Sequence, residues 1–156
     1  MFFKDRSPRG FTLLELLMVI TIIGLLASIL LVLLDQARLK GRDASIKAHL
    51  TEIRSQMEIY YSSNNHYGLG MTVAACPTSG STIFYVDTVL RKLLLELAGQ
   101  LTAGQTATCA ALPASPANAD AWAASAPLQA VPGSWCVDST GTSGQRLGPI
   151  TTSVCP

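Results

Sequence analysis

The sequence predicts an α+β fold in which one long N-terminal helix crosses a membrane in its first half and packs on a small β-sheet in its second half. Three observations lead to this prediction. Residues 11–34 are apolar and contain a single charge, Glu15. A stripe of apolar residues then continues at helical spacing to Tyr60 or Tyr61. Strand-forming segments and all four cysteines follow residue 64.

The overall composition indicates one domain and argues against a nucleic-acid-binding protein. The 156 residues include 11 Lys and Arg against 10 Asp and Glu, so the formal net charge of +1 lacks the basic excess that binding to DNA or RNA requires. Hydrophobic residues make up 49% of the chain, which excludes general disorder. The P-loop, dinucleotide-binding, nucleophile-elbow and zinc-protease motifs do not occur in the sequence, so we expect no enzymatic activity.

Residues 11–34 form the predicted transmembrane helix. At about 1.5 Å per residue, a helix of this length reaches about 36 Å, which exceeds a hydrocarbon core of about 30 Å. A secretory signal has a shorter apolar core that ends at a small-residue cleavage site, whereas this segment continues directly into Asp35. Three basic residues against one acidic residue in residues 1–10 favour a cytoplasmic N-terminus.

Glu15 is a candidate functional residue because it is the single charge in the apolar segment. A carboxylate inside a transmembrane helix costs about 2.5–3.5 kcal/mol on insertion scales. Two interpretations are open. Glu15 lies at the headgroup level, where the helix dipole favours it, or it pairs with a cationic amine. Cleavage after Gly10 would create such an amine on Phe11, one helical turn away.

The helix is predicted to continue to Ser63. One face of residues 35–63 carries apolar residues at spacings of three, four and seven; they are Leu39, Ile46, Leu50, Ile53, Met57 and Tyr60 or Tyr61. Asn64, Asn65 and Gly68 then supply residues that end helices. The charged residues after the apolar segment, including Asp35 and Asp43, are expected to form a solvated face. His49 and His66 are likewise interpreted as surface residues.

The segment Gly10-Phe11-Thr12-Leu13-Leu14-Glu15, with its short basic leader and the apolar helix behind it, resembles the N-terminus of type IV pilins and type II secretion pseudopilins. In that family a prepilin peptidase cleaves after the glycine and N-methylates the new first residue. The resemblance therefore implies cleavage after Gly10 and methylation of Phe11. It also implies that Glu15 neutralises the terminal amine of an adjacent subunit during assembly.

The resemblance divides the chain into four parts. They are a leader (residues 1–10), a transmembrane or filament-core half of the helix (residues 11–34), an amphipathic half (residues 35–63) and a globular head with an antiparallel sheet (residues 64–156). Removal of the leader leaves a net charge of −1, so nucleic-acid binding is not expected.

The middle of the apolar helix both follows and departs from the family pattern. Gly24 matches the family's mid-helix glycine, whereas Val32 stands where a helix-breaking proline is expected. Whether the helix kinks there on packing into a filament is therefore open. Gly24 and Ser28 also form a small-xxx-small pair, which suits close helix packing and equally suits ordinary membrane-helix composition.

The resemblance implies a structural subunit of a type IV pilus-like filament. Such a subunit is a single-pass precursor in the bacterial inner membrane and moves to the cell surface on assembly. Its partners are identical or related pilin subunits, the prepilin peptidase, a cytoplasmic assembly ATPase and a membrane platform protein. One alternative is a pseudopilin, which forms a periplasmic filament that drives type II secretion. Another is an anchored binding domain that never polymerises, for which we expect no cleavage and tolerance of Glu15→Gln.

The head is predicted to contain loops, short strands and one short helix. Residues 82–87 are strand-prone, and residues 121–126 and 134–138 are the other predicted strands. Thr88 is the candidate cap of the helix. The apolar face of that helix consists of Leu90, Leu93, Leu94, Leu97 and Leu101.

The four cysteines, Cys76, Cys109, Cys136 and Cys155, lie outside the membrane segment. Their gaps of 33, 27 and 19 residues suit a zinc site poorly, and an even count favours two disulfides over four reduced thiols. Three pairings are possible, of which we favour Cys76 with Cys109 and Cys136 with Cys155. Closing the second loop would contribute about 3 kcal/mol. The bond between Cys136 and Cys155 resembles the C-terminal disulfide that bounds a variable surface region in type IV pilins.

Asp138 is a weak calcium candidate. It lies in Trp135-Cys136-Val137-Asp138-Ser139-Thr140-Gly141, which is similar to the late strand and turn of some pilin-like proteins. Some major pseudopilins bind calcium near a comparable loop, and the carboxylate and nearby hydroxyls would supply oxygen ligands. Ordinary turn chemistry is the alternative, and no other cofactor is expected.

Overall fold

The computed structural model describes residues 10–114 and 117–155, and Val32 by its backbone alone. Leader residues 1–9 and the Val32 side chain therefore lie outside the described part of the chain. The elements are α1 (Leu13–Asn64), β1 (Met71–Ala75), α2 (Ile83–Val86), α3 (Thr88–Gln100), β2 (Thr108–Leu112), β3 (Ala121–Pro127), β4 (Ser134–Asp138) and β5 (Ser143–Arg146). The predicted α+β class, with one long helix and a small antiparallel sheet, is confirmed. The described residues divide into two units, a first unit that ends at Ala37 and a second unit that begins at Arg38.

The first unit contains the apolar half of α1. Its large side chains are exposed, beginning with Phe11 at 83%. Within the described residues, α1 is the one helix long and apolar enough to cross a membrane. An apolar surface of this extent requires lipid or other protein around it.

The second half of α1 supplies one wall of the core of the second unit. Ile46, Leu50, Ile53 and Met57 are fully buried, as the stripe predicts. Tyr60 continues the stripe as a half-buried residue packed on the core, whereas Tyr61 is exposed. These side chains pack with a second set from α2, α3 and the sheet, namely Phe84, Leu90, Leu97, Trp122 and Val137.

The helix ends at the predicted stop residues. Asn65 follows the last helical residue with φ +58° and donates its N–H to the Tyr61 carbonyl at 2.7 Å. Gly68 has φ +70°, and a Cβ at this position would lie 3.1 Å from Cβ of Ile83. The left-handed backbone turns the chain back toward the sheet.

The head sheet has five antiparallel strands in the order β1-β2-β3-β4-β5. Strands β3 and β4 correspond to the predicted segments at residues 121–126 and 134–138. Strands β1, β2 and β5 were not predicted. Each contains alanine or glycine, which have weak strand propensity, and pairing with neighbouring strands stabilises them instead.

The prediction of a strand at residues 82–87 is wrong. Ile83 and Phe84 are adjacent and both buried, whereas a strand would point them to opposite faces, so the segment turns as the short helix α2. The predicted cap of the next helix is also wrong by one residue. Asp87 caps α3, because its Oδ1 accepts hydrogen bonds from the N–H groups of Val89 and Leu90, both at 2.9 Å.

Two disulfides join parts of the head. Cys76, just after β1, pairs with Cys109 of β2, with Cα atoms 4.8 Å apart. Cys136 of β4 pairs with Cys155 near the C-terminus, with Cα atoms 5.9 Å apart. The structure thus has the pairing that we favour from the sequence.

The expectation of a solvated charged face is wrong for Asp43. Its side chain is buried, and its carboxylate accepts hydrogen bonds from the backbone N–H groups of Gln129 at 2.5 Å and Ala130 at 3.1 Å. Asp35 is exposed, in agreement with the expectation. Asp43 therefore attaches α1 to the turn between β3 and β4.

Candidate assembly site at the start of the helix

Thr12 and Glu15 form a reciprocal cap at the start of α1. The Thr12 hydroxyl accepts a hydrogen bond from the N–H of Glu15 at 3.2 Å. In return, Oε2 of Glu15 accepts from both the N–H and the hydroxyl of Thr12, each at 3.0 Å. This is the geometry of a capping box, which satisfies backbone N–H groups that the first helical turn leaves free.

The cap occupies one of the two carboxylate oxygens of Glu15. Oε2 takes both bonds from Thr12, and Oε1 accepts no hydrogen bond from the described residues. The carboxylate is therefore held at the N-terminal end of the helix, with one oxygen available to a donor from another molecule. The sequence predicted a role for Glu15 but not for Thr12, although Thr-x-x-Glu before an apolar run is itself a capping signal.

Gly10 and Phe11, the candidate cleavage residues, are both exposed at the beginning of the described chain. A Cβ at Gly10 would meet no atom within 4 Å, so packing within the described chain does not require glycine here. The same holds for Gly24 in the middle of the apolar segment. The reason for glycine at these positions therefore lies outside the packing of the single chain.

The other polar side chains of the apolar segment are satisfied by the helix itself. The hydroxyl of Thr21 donates to the Met18 carbonyl, and that of Ser28 donates to the Leu25 carbonyl, both at 2.8 Å. Such internal bonds make these residues compatible with apolar surroundings. In the described part of residues 11–34, Glu15 alone presents a charge that requires a partner.

Asp138 in the head has a donor set that does not fit a calcium site. It is fully buried, and its Oδ1 accepts from the N–H and hydroxyl of Thr140 and from the N–H of Thr142, at 2.7–3.1 Å. Its Oδ2 accepts from the N–H of Cys155 at 2.6 Å. N–H groups cannot ligate a cation, so Asp138 organises the turn and holds the C-terminal segment against β4. No group of three His, Cys, Asp or Glu residues suited to a metal occurs among the described residues.

Comparisons with known proteins identify the N-terminal region. Residues 5–31 match the family model of the prokaryotic N-terminal methylation motif. Over 62 residues, or 40% of this chain, the sequence is 42% identical to the type IV wide pilus major component PilA4 of Thermus thermophilus. The match spans 47% of that relative, which is about half of its length. No solved structure matches significantly.

Proposed function

We propose that the chain, which carries the N-terminal methylation motif, is a member of the type IV pilin-like family and a structural subunit of a type IV pilus-like filament. Subunits of this family are structural and assemble with one another. In the proposal, a prepilin peptidase cleaves after Gly10 and methylates the amine of Phe11. The mature subunit then enters the filament through the apolar half of α1.

The observation that carries the proposal is the single capped carboxylate on an otherwise apolar, exposed helix. Thr12 holds Oε2 of Glu15 and leaves Oε1 available. We propose that Oε1 receives the cationic Phe11 amine of a neighbouring subunit, because each charge is costly in an apolar filament core and the pair reduces both costs. Removal of apolar surface from water contributes about 25 cal/mol per Å², and less where the surface leaves lipid.

The proposed location follows from the same features. The precursor is held in the bacterial inner membrane with residues 1–10 on the cytoplasmic side, where the peptidase and the assembly ATPase act, and the platform protein lies in the same membrane. The assembled filament lies at the cell surface. Two disulfides in the head suit an oxidising exterior. The similar Thermus protein is named as a pilus component, which favours a surface pilus over a periplasmic pseudopilin filament.

The first test is the intact mass and N-terminal sequence of the protein from native membranes and sheared filaments. We expect a chain that starts at Phe11 and carries one added methyl group. We expect Glu15→Gln to be absent from filaments, because the neutral amide leaves the neighbouring amine unpaired in an apolar core. Asp35→Asn is the matched control, since it removes an exposed carboxylate of the same helix beyond the apolar segment.

Three outcomes would contradict the proposal. A chain that retains Met1 while the native peptidase is present would indicate an anchored domain that does not polymerise. Normal filaments from Glu15→Gln would remove the assembly role of Glu15. Filaments confined to the periplasm would indicate a pseudopilin of type II secretion.

A further inference from the structure

Two flanks of the head differ in charge, and the first of them is acidic. We define the acidic flank as Glu52 and Ile59 of α1 together with Glu96 of α3. His49 Nε2 lies 3.5 Å from Oε2 of Glu96, which places α1 on this side of α3. Glu52 and Ile59 are seven residues apart, so they share one face of α1. Glu52 is exposed, and Ile59 is 59% exposed.

The second flank is a basic groove between α3 and the end of β1. We define the basic groove by Arg91, Leu95 and Ala98 of α3, which face Cys76 and Ala107 across a cleft of about 340 Å³. Leu95 is 63% exposed, although the groove around it is lined mainly by apolar atoms. An apolar cleft with a large exposed side chain at its wall is a typical docking surface.

Arg91 supplies the charge of the basic groove. Its guanidinium lies over the Tyr85 ring, 5.3 Å from the centroid, and makes no ion pair among the described residues. Glu52 likewise makes no ion pair in the described part of the chain. Each flank therefore presents one unpaired charge of opposite sign on the same helix as one exposed aliphatic side chain, two turns away on α1 and about one turn away on α3.

The two flanks point in different directions, so one chain cannot join them to each other. Arg91 and Glu96 are five residues apart, or about 140° around α3. A contact between these flanks must therefore involve two chains. Because it joins different surfaces, it leaves a free flank on each partner, so the same contact can repeat from subunit to subunit along a filament.

We propose that the acidic flank of one subunit docks in the basic groove of the next copy of this chain, with Ile59 against Leu95 and Glu52 beside Arg91. This inference rests on the proposed filament function. The second copy is the favoured occupant because the charges and the apolar side chains of the two flanks are complementary. The contact would fix the arrangement of neighbouring heads, while the apolar half of α1 supplies the filament core.

Charge reversal in native cells tests the contact. Arg91→Glu and Glu52→Arg should each reduce the amount of sheared filaments about tenfold or more, because each places like charges together. The double variant should restore the amount. Lys40→Glu is the matched control: it makes the same kind of charge change at an exposed residue of α1 that lies about 120° around the helix from Glu52, on neither flank. The mass of the mature chain in membranes should be the same in all variants.

The outcomes distinguish failure of this contact from failure of the proposed filament function. Normal filaments from both single variants, or a double variant that is not restored, would overturn the contact alone. A loss caused by Arg91→Glu but not by Glu52→Arg would assign the groove to another anionic surface, such as lipid headgroups, and would also overturn it. Absence of filaments from the unmodified chain would overturn the proposed function and the contact with it.

Oxidative crosslinking provides an independent measurement. Ile59→Cys combined with Leu95→Cys should give a ladder of dimers, trimers and larger species, with a bond between positions 59 and 95 by mass spectrometry. Each single variant should remain monomeric. Leu147→Cys with Leu95→Cys is the control, because Leu147 is 94% exposed but lies on neither flank. Dimers from a single variant, or an equal ladder from the control, would contradict the proposed geometry.

Discussion

At the scale of single residues, Asp43 shows how one carboxylate can secure a long helix to a sheet. It is 7% exposed and receives the N–H groups of two successive residues, Gln129 and Ala130. These N–H groups lie in the turn between β3 and β4, where no strand partner is available to them. A buried donor that loses its acceptor costs about 1–3 kcal/mol.

We therefore expect Asp43→Ala to lower the free energy of unfolding of the detergent-solubilised full chain by about 2 kcal/mol. The physical reason is that both turn N–H groups would then lack an acceptor. The measurement is thermal or urea unfolding followed by circular dichroism. Asp35→Ala is the control and should leave stability within about 0.5 kcal/mol, since Asp35 is exposed. Equal stability of the two variants would show that the Asp43 bonds are replaced by water.

Tyr67, also at the residue scale, makes the head sensitive to high pH. Burial, together with the hydrogen bond that its hydroxyl donates to Oε1 of Glu58 at 3.1 Å, raises the pKa of Tyr67 from 10.0 to about 12. Because the pKa is higher in the folded protein, this stabilisation is complete below pH 10.0 and is lost as the pH rises to about 12.

The expected result is a decline in unfolding free energy between pH 10 and about 12 that is smaller in Tyr67→Phe. The phenylalanine variant retains the ring but has no proton to lose. Tyrosine absorbance during the same titration should show that the variant loses a group that titrates near pH 12 in the unmodified chain. Parallel pH profiles for the two proteins would rule out this role for Tyr67.

At the scale of elements, the sequence predicted the structure best where apolar residues recur at one regular spacing over many residues. The stripe from Ile46 to Met57 predicted the buried face of α1, and Asn65 and Gly68 predicted its end. The motif around Glu15 predicted the candidate site, but the capping role of Thr12 became clear only from the hydrogen bonds. Long, regular patterns therefore carried most of the correct fold.

Short elements depended on tertiary contacts that the sequence does not display. Residues 82–87 have strand-forming side chains, yet two adjacent residues enter the core and the segment becomes helical. Strand β2 contains two alanines and was not among the predicted strands, but it is paired on both sides, with β1 and β3. Asp43 looked like a surface charge because its acceptor role depends on a turn more than eighty residues later. In each of these cases tertiary packing, rather than local propensity, determined the structure.

At the scale of the whole molecule, the two units have opposite requirements. The described side chains of residues 11–34 expose a nearly continuous apolar surface, so this part of the chain needs lipid or neighbouring helices. Residues 38–156 contain the core cluster, the complete sheet and both disulfides. The features that stabilise the head are thus all found in one unit, whereas the first unit depends on other molecules.

This division predicts that residues 38–156 fold without the apolar half of α1. We expect the fragment, expressed in an oxidising compartment, to be soluble without detergent and to unfold in one cooperative thermal transition, because it retains its own core. A chain that starts at Phe11 and retains the whole of α1 should aggregate without detergent while its head melts at a similar temperature. Analytical ultracentrifugation and calorimetry measure both properties. A fragment that lacks a cooperative transition would contradict this prediction. It would mean that the apolar half of α1 also stabilises the head.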